Sequence, residues 1–299
     1  MQVDSYNKNN IAFQSRLKSL NALNPISYYT NRYFKKSAKL SQNNIETICP
    51  ELYSSWSAHW AKSGKNLVTI HEFSSQIHKP DTYVMFLHGM AQNVTNYQPL
   101  YKNIINKNLG VWAVEFRSYG TNKTCTISED KLRKDIEIAY QHLLKQKNLK
   151  PENVIVIGHS MGGALAANFA SKHHDIKSLI LISPLYNATN LGQKFIEHKK
   201  LGQGIPKALY SFTNKIKPLK WLYSLRFSTI NKLKDIKTPT YLIQSKNDSV
   251  TPIIPARHLA KTARKYGILE RFITLPNGGH KVDSDKVNVI SDILDSFVK

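Results

Sequence analysis

The chain has little cysteine and no long hydrophobic run. Its two cysteines, Cys49 and Cys125, lie far apart, so they form neither a metal-ligand motif nor a disulfide framework. Reduced thiols are expected, and a single bridge between them stays open. No apolar run reaches the roughly 18 residues that span a bilayer, and residues 1–13 lack the apolar region of a secretory signal. We therefore expect a soluble cytoplasmic protein.

Acidic side chains are also scarce. The sequence contains 20 Asp and Glu residues against 42 Lys and Arg, which gives a net charge of +22. Such a field attracts anionic membranes, nucleic acids and acidic small molecules alike. The basic residues are dispersed and no nucleic-acid-binding motif occurs, so nucleic-acid binding is not expected as the primary function. Peripheral contact with an anionic membrane surface stays open.

Motifs for cofactors are missing as well. No G-x-G-x-x-G sequence follows a strand candidate, and no motif for metal chemistry occurs. The sequence therefore predicts no cofactor and no metal. The 299 residues do have a globular composition, 41% hydrophobic and 10% aromatic, which suffices for one large α/β domain or two small ones.

Short apolar runs alternate with helix-compatible stretches from residue 66 onward. Runs rich in β-branched residues predict strands at 66–70, 82–87, 111–116, 154–157, 179–182, 240–243 and 271–275. Helical spacing predicts helices at 128–146 (with Ser128 as N-cap), 162–173, 255–265 and 286–298. Continuous apolar strands that alternate with helices indicate the α/β class, with a mostly parallel central sheet and helices on both faces.

This alternation divides the chain into three regions. Residues 66–184 and 236–299 are assigned to one α/β core. Residues 1–65 carry no motif and are assigned to an N-terminal extension of unknown role. Residues 185–235 break the rhythm with a long helix-compatible stretch, which is either an enlarged crossover or a helical lid inserted over a site.

One serine lies in a distinctive turn. Residues 158–163 read G-H-S-M-G-G, directly after a predicted buried strand and at the start of an Ala-rich helix. The pattern G-x-S-x-G in that context forms a nucleophile elbow, in which the serine backbone is strained and the glycines leave room for neighbouring chain. The helix dipole at this end favours negative charge. Ser160 is therefore the predicted catalytic nucleophile.

A serine nucleophile needs a base, and the base needs an acid that orients it. His280 is the predicted base, because it lies in a glycine-containing loop just past the last predicted strand, whereas His258 fits a surface position. Asp248 is the predicted acid, because it follows a strand and lies between Ser160 and His280 in the chain. Asp235 precedes that strand and is expected at the wrong edge of the sheet.

Other histidines and aspartates near the predicted base and acid are expected to have structural and not catalytic roles. His159 flanks the serine, and the geometry of the turn is expected to point it elsewhere. Asp283 and Asp285 follow His280 in sequence and are expected to cap the final helix.

Acyl transfer also needs hydrogen-bond donors for the developing oxyanion, and backbone N–H groups can supply them. The N–H of Met161, directly after the nucleophile, is one candidate. The other is the N–H of Met90, in the loop that Gly89 opens after the first buried strand. The combination of separated motifs in this chain order carries the prediction.

These residues resemble the α/β-hydrolase superfamily, and within it the lysophospholipase and monoacylglycerol-lipase-like serine hydrolases. The likeness spans residues 66–299 and rests on the segments 87–90, 115–120 and 158–163, together with Asp248 and His280. The segment 116–120 departs in part from that family's D-x-R-G-x-G turn, whose role is mainly structural. The resemblance implies an α/β-hydrolase fold and a lid at residues 185–235.

The predicted lid is basic and aromatic. Residues 186–234 contain ten Lys and Arg and a single acidic residue, Glu197, with aromatic side chains interleaved at 195, 210, 212, 221, 223 and 227. Amphipathic helices of this kind suit an anionic membrane surface or an acyl chain with a charged head. An ordinary lid whose aromatics pack on the core and whose lysines are solvated also explains the composition, because the whole chain is basic.

The sequence leaves several functions open. The first is a carboxylic ester hydrolase that forms an acyl-serine intermediate, with a preference for small-molecule esters or lipids such as monoacylglycerols and lysophospholipids. A thioesterase, an acyltransferase or an amidase would use the same residues. A non-catalytic binding protein with this fold is the third alternative. The oligomeric state is not predicted.

Overall fold

The computed structural model describes residues 55–63, 66–75, 77–90, 92–117, 119, 128–187 and 227–298. The cysteines at positions 49 and 125, the predicted extension up to residue 54, and residues 188–226 of the predicted lid lie outside the described residues.

The described part of the chain is built around one eight-stranded sheet. Its spatial order is β1-β2-β4-β3-β5-β6-β7-β8. β2 pairs antiparallel with both β1 and β4, and every other neighbouring pair is parallel. The strands are β1 Trp56–Ser63, β2 Asn66–Phe73, β3 Tyr83–Leu87, β4 Gly110–Glu115, β5 Val154–His159, β6 Ser178–Ile182, β7 Thr240–Ser245 and β8 Leu269–Leu275. The predicted mostly parallel sheet is confirmed.

In the part of the chain that the structure describes, five α-helices cover the two faces of this sheet. They are α1 Gln98–Asn106, α2 Glu129–Lys147, α3 Met161–Ala170, α4 Ile253–Lys265 and α5 Ser284–Asp295. Buried side chains of α2, α3 and α4 share one apolar cluster with the sheet, and those of α1 and α5 share the other. Because helices lie on both faces, the central strands β3 to β6 are buried along their whole length.

Helix ends follow the local sequence. Ser128 caps α2 as predicted, since its side chain accepts a hydrogen bond from the N–H of Lys131 at 3.3 Å. Asp283 caps α5 in the same way, through the N–H of Lys286 at 3.1 Å. Asp285 lies in the first turn of α5, where a negative charge faces the positive end of the helix dipole.

The sequence did not predict β1 or α1. β1 lies inside the range 1–65 that was assigned to the extension, so the sheet begins at Trp56 and not at residue 66. Its residues, W-S-A-H-W-A-K-S, form an edge strand that is only partly buried, so the strand carries no continuous apolar run. Helix α1 is short and contains no buried residue beyond Leu100, Tyr101 and Ile104.

Parallel strands bring their carboxyl ends to one edge of the sheet. Met90 follows β3, Ser160 follows β5, Asp248 follows β7 and His280 follows β8. The topology therefore gathers the loops that carry these residues at a single rim, where open α/β sheets bind ligands. No helix among the described residues is long and apolar enough to cross a bilayer.

Candidate active site

Ser160 occupies a sharp turn between β5 and α3. Its backbone has φ 56° and ψ −116°, a conformation that side chains of L-residues rarely adopt. The carbonyl of Ser160 accepts from the N–H of Gly163 at 3.0 Å, and its own N–H donates to the carbonyl of Ile182 at 2.9 Å. The strained turn that the G-x-S-x-G pattern predicts is present.

The glycines of this turn are needed for close approach of the chain. A Cβ atom on Gly162 would lie 2.1 Å from the carbonyl oxygen of Leu87, at the end of β3. A Cβ on Gly158 would lie 2.4 Å from the carbonyl oxygen of Gly162. Such contacts are far below van der Waals separation, so the elbow tolerates only glycine at these positions.

Three predicted site residues form one hydrogen-bonded row. Ser160 Oγ lies 2.9 Å from His280 Nε2, and His280 Nδ1 lies 2.9 Å from Asp248 Oδ2. An ionised carboxylate only accepts hydrogen bonds, so the imidazole proton sits on Nδ1. The lone pair of Nε2 then faces the serine hydroxyl, which donates to it.

The carboxylate of Asp248 is buried and fully supplied with donors. Oδ1 accepts from the N–H groups of Val250 at 2.9 Å and Thr251 at 2.8 Å. Oδ2 accepts from the Thr251 hydroxyl at 2.8 Å and the Gln244 amide at 3.1 Å, besides His280. Burial alone would raise the pKa of Asp248, but the hydrogen bonds and charge of His280, with the donors of Thr251, hold that pKa well below its ordinary value.

Gln244 and Thr251 were not predicted from the sequence. Gln244 is the fifth residue of β7 and is fully buried. Its amide nitrogen also binds the carbonyl of Thr251 at 2.7 Å, which closes the loop around Asp248. A glutamine directly after the apolar run 241–243 of this strand is the signal that could have marked it.

The N–H groups of the two predicted oxyanion donors have no acceptor among the described residues. Met161 is the first residue of α3, where a helix leaves its N–H without an intrahelical acceptor. Met90 lies just beyond β3, and no acceptor for its N–H is found among the described residues.

The loop that carries Met90 is held by three buried rings. The Tyr119 hydroxyl donates to the carbonyl of Met90 at 2.5 Å, and the N–H of Gly89 donates to the Tyr97 hydroxyl at 2.9 Å. His88 Nδ1 donates to the carbonyl of Gly89 at 2.9 Å. These contacts fix the loop without using the N–H of Met90, so that donor is preorganised.

His159 was expected to point elsewhere, and that expectation is wrong. Its ring lies against the ring of His280, with centroids 4.9 Å apart. Its Nε2 atom lies 2.8 Å from the carbonyl oxygen of His280, and its Nδ1 lies 2.8 Å from the Tyr97 hydroxyl. Burial, and next the nearby charge of His280, lowers the pKa of His159 to about 3, so the ring is neutral at physiological pH.

The remaining candidates lie away from the row. His258 is exposed on α4 and contacts the Tyr186 hydroxyl at 2.9 Å, which fits the predicted surface position. Asp235 ends a single 3₁₀ turn before β7, at the opposite edge of the sheet. Arg117, in the turn after β4, pairs with the buried carboxylate of Asp135 on α2 (Nε to Oδ2, 2.6 Å), a structural contact.

No metal site is apparent at this rim. Among the described residues, no group of three or more His, Cys, Asp or Glu side chains is arranged to hold a metal ion.

Comparison with known proteins agrees with this architecture. Residues 78–224 match the model of the family described as serine aminopeptidase, S33. A putative α/β hydrolase of Acanthamoeba polyphaga mimivirus, L404, is 23% identical over 221 residues, which cover 73% of this chain and 74% of the relative. A putative esterase/lipase 2 of Mycoplasma pneumoniae is 28% identical over 210 residues, covering 60% of this chain and 76% of the relative.

Solved structures share the same fold. An α/β hydrolase from Vibrio vulnificus superposes with a TM-score of 0.68 at 19% identity, over 92% of this chain and 93% of that one. An esterase of Pyrococcus furiosus gives a TM-score of 0.63 at 19% identity, over 82% and 91% of the two chains. With the strand order and the elbow turn, these likenesses confirm the predicted α/β-hydrolase fold.

Proposed function

We propose that this chain, which has the α/β-hydrolase fold, is a serine hydrolase that cleaves carboxylic esters through an acyl-serine intermediate. The observation that carries the proposal is the row Ser160–His280–Asp248, with both contacts at 2.9 Å. The relatives named as esterases or esterase/lipases support the ester as the substrate class.

The proposed reaction uses the row in two steps. In the first, Ser160 Oγ attacks the ester carbonyl while His280 Nε2 takes the hydroxyl proton. His280 then gives that proton to the departing alcohol, and the acyl group remains on the serine. In the second step a water molecule loses its proton to Nε2 as its oxygen attacks the acyl-serine. Nε2 then returns that proton to Ser160 Oγ as the bond from Oγ to the acyl group breaks, which releases the acid and restores Ser160. Asp248 keeps the proton on Nδ1 throughout and stabilises the imidazolium.

The N–H groups of Met90 and Met161 are the proposed oxyanion donors. Met161 directly follows Ser160, and Met90 follows β3, the strand that pairs with the one before Ser160. Neither N–H has an acceptor among the described residues. Donors fixed in advance need no reorganisation when charge develops on the carbonyl oxygen, so they lower the barrier more than water can.

The test compares leaving groups at a constant acyl chain. p-Nitrophenyl esters, an acyl thioester and a p-nitroanilide are each assayed with the wild-type protein and with Ser160→Ala. We expect the ester to have the highest kcat/KM and Ser160→Ala to lose activity on all three. A higher kcat/KM for the thioester than for the ester would mean that the protein is a thioesterase. Ester turnover that survives Ser160→Ala would remove it.

An amide or peptide substrate is a second candidate. It is favoured by the matching family model, whose description is a serine aminopeptidase. An aminoacyl p-nitroanilide with a free amino group separates the two candidates. An anilide kcat/KM above that of the matched ester would favour the second.

We further propose that the esters are lipid-like, as in monoacylglycerols and lysophospholipids. Support comes from the relatives named esterase/lipase and from two exposed apolar side chains near Asp248: Val250, in the same loop, and Ile254, at the start of α4. A series of monoacylglycerols and lysophospholipids of rising chain length tests this. If kcat/KM does not rise with chain length, the lipid preference fails and the esterase proposal stands.

We also propose that the protein binds peripherally to anionic membrane surfaces, where lipid-like esters are found. The net charge of +22 supports it, as do the exposed basic residues of α4, Arg257, Lys261, Arg264 and Lys265. Sedimentation with phosphatidylserine-containing vesicles should be strong at low salt and weak at high salt. Equal binding to neutral phosphatidylcholine vesicles would contradict an electrostatic contact.

A further inference from the structure

The loop that carries His280 has an unusual backbone. It connects β8 to α5, and Gly278 and Gly279 in it have φ values of 99° and 58°, which glycine adopts without strain. The N–H of Gly279 donates to the side chain of Asn247 at 2.9 Å. The conformation of this loop decides where the imidazole of His280 points.

A buried lysine binds the carbonyl groups on both sides of His280. Lys286, in the first turn of α5, is completely buried. Its Nζ atom lies 2.8 Å from the carbonyl oxygen of Lys281, 3.0 Å from that of Gly279 and 3.4 Å from that of Gly278. The carboxylate of Asp283 is farther from it, at 3.7 Å.

The number of acceptors around Nζ indicates that Lys286 is in its protonated, ammonium form. An ammonium group donates three hydrogen bonds and accepts none, and three carbonyl oxygens surround it here. Burial lowers the pKa of Lys286, while the charges of Asp283 and Asp248 oppose that effect. A lysine is rarely buried without such compensation, so the carbonyls of this loop have to stay turned toward Nζ.

His159 binds the carbonyl of His280, the one in residues 278–281 that Lys286 does not contact. A neutral imidazole has a single N–H, and the carbonyl of His280 can only accept, so His159 donates from Nε2 at 2.8 Å. His159 Nδ1 lies 2.8 Å from the Tyr97 hydroxyl. That hydroxyl donates to Gln92 Oε1 at 2.5 Å and accepts from the N–H of Gly89 at 2.9 Å. One buried chain of contacts thus joins the His280 loop to the loop before Met90.

We propose that Lys286 and His159 are positioning residues for the reaction. Together they bind four consecutive carbonyl groups, those of residues 278 to 281, and so hold the imidazole of His280 in line with Ser160. This inference rests on the proposed serine hydrolase function.

The experiment uses the full chain and four variants. Lys286→Met keeps the length of the side chain and removes its charge and donors. His159→Leu removes the donor to the carbonyl of His280, and His159→Gln keeps an N–H near the position of Nε2. Lys134→Met, at an exposed position of α2, is the control for loss of one lysine charge.

Each protein is assayed with p-nitrophenyl acetate, and the rate constant of the initial burst is expressed per titrated active site. We expect Lys286→Met and His159→Leu to lower it about 10- to 100-fold with little change in KM, since a displacement near 1 Å costs rates of that order. His159→Gln should recover most of the loss, and Lys134→Met should match the wild type.

Thermal unfolding and proton NMR separate positioning from folding. Loss of alignment should shift or broaden the low-field resonance of the His280 Nδ1 proton shared with Asp248. If the unfolding temperature falls while the burst rate per site and this resonance match the wild type, the two residues are structural and the inference is overturned. If Lys286→Met does not fold, the His159→Leu variant decides by itself: a burst rate constant equal to that of the wild type overturns the inference.

The outcome for the wild type distinguishes the two proposals. Wild-type protein with neither a burst nor steady-state turnover of the ester removes the proposed function itself. A normal burst in the wild type and in every variant removes only the positioning of the His280 loop.

Discussion

His280 Nε2 lies 2.9 Å from Ser160 Oγ although the two residues are 120 positions apart in the chain. Two separate βα loops supply them, one after β5 and one after β8. The serine is held by a strained turn with φ 56°, and the histidine by a loop whose carbonyls are bound from inside the core. Both side chains are positioned by the backbone around them, which makes the arrangement a preorganised one.

The contact between Asp248 and His280 leads to the first prediction, which concerns the effect of Asp248→Asn on kcat. Asp248→Asn keeps the size of the side chain but replaces a charged acceptor with an amide that can donate to Nδ1 and so stabilise the wrong tautomer. We expect kcat for a p-nitrophenyl ester to fall by about 10⁴-fold with little change in KM. Steady-state kinetics on the purified variant measure this.

Asp235→Asn is the matched control for Asp248→Asn. Asp235 is the rival aspartate at the opposite edge of the sheet, so its replacement should leave kcat unchanged. A large loss in Asp235→Asn together with a small loss in Asp248→Asn would reverse the assignment of the acid.

The elbow glycine predicts a loss of stability. In Gly162→Ala the new methyl group would lie 2.1 Å from the carbonyl oxygen of Leu87, which is backbone and cannot rotate away. We expect the free energy of unfolding to fall by at least about 2 kcal/mol, as for overpacking in a well-packed core. Urea denaturation followed by circular dichroism measures this.

Gly267→Asn provides the comparison for Gly162→Ala. Gly267 also has a positive φ, +70°, but a Cβ atom added there would meet no atom within 4 Å, and asparagine tolerates this region. Its loss of stability should be the smaller of the two. Equal stability of Gly162→Ala and wild type would mean that β3 and the elbow can separate.

Glu72 predicts how stability depends on pH. Its carboxylate on β2 contacts Lys147 Nζ at 2.6 Å, His59 Nε2 at 2.7 Å and Tyr83 Oη at 2.9 Å. Burial would raise its pKa, but these partners outweigh burial and lower the pKa from 4.5 to about 2. A carboxyl group with a depressed pKa stabilises the fold above its unfolded pKa, and the contribution is lost as the pH falls toward the folded value.

The wild type should therefore lose about 3 kcal/mol more than Glu72→Gln as the pH is lowered from 4.5 to about 2. Urea titrations at several pH values in this window give the two slopes. Glu152→Gln, which removes an exposed carboxyl group, is the control for the loss of one carboxylate. Parallel slopes for wild type and Glu72→Gln would contradict the electrostatic account of this cluster.

Most of the sheet could be predicted from the sequence because its strands are buried on both faces. The run 154–157 is continuous and β-branched, and it became β5, with its buried neighbours on either side. β1 could not be found in this way. At the edge of the sheet its residues alternate between exposed and partly buried positions, and that pattern does not stand out in a polar stretch.

The candidate site was predictable to the level of which loops meet. The carboxyl ends of parallel strands lie at one edge of the sheet, so the chain order predicts that Ser160, Asp248 and His280 meet there. These three side chains are in contact. Their catalytic roles, and those of the N–H groups of Met90 and Met161, stay proposals. The orientation of single carbonyl groups has no signature in a sequence, so the contacts of His159 were missed.

Lys286 did leave a trace in the sequence. It stands four residues before Ile290 and seven before Ile293, on the stripe that α5 buries against the sheet. A lysine on the apolar stripe of a terminal helix is a departure from the pattern, and such departures concentrate at functional positions.

The most direct test of the central claim is covalent labelling of the folded protein with a fluorophosphonate, followed by mapping of the modified peptide by mass spectrometry. A serine activated by His280 should react in the native state, so the account predicts a single adduct on Ser160. That adduct should be blocked by prior incubation with a slow ester and be absent after unfolding or in Asp248→Asn at equal exposure time. Native protein that carries no adduct at Ser160, yet turns over p-nitrophenyl esters, would contradict the account.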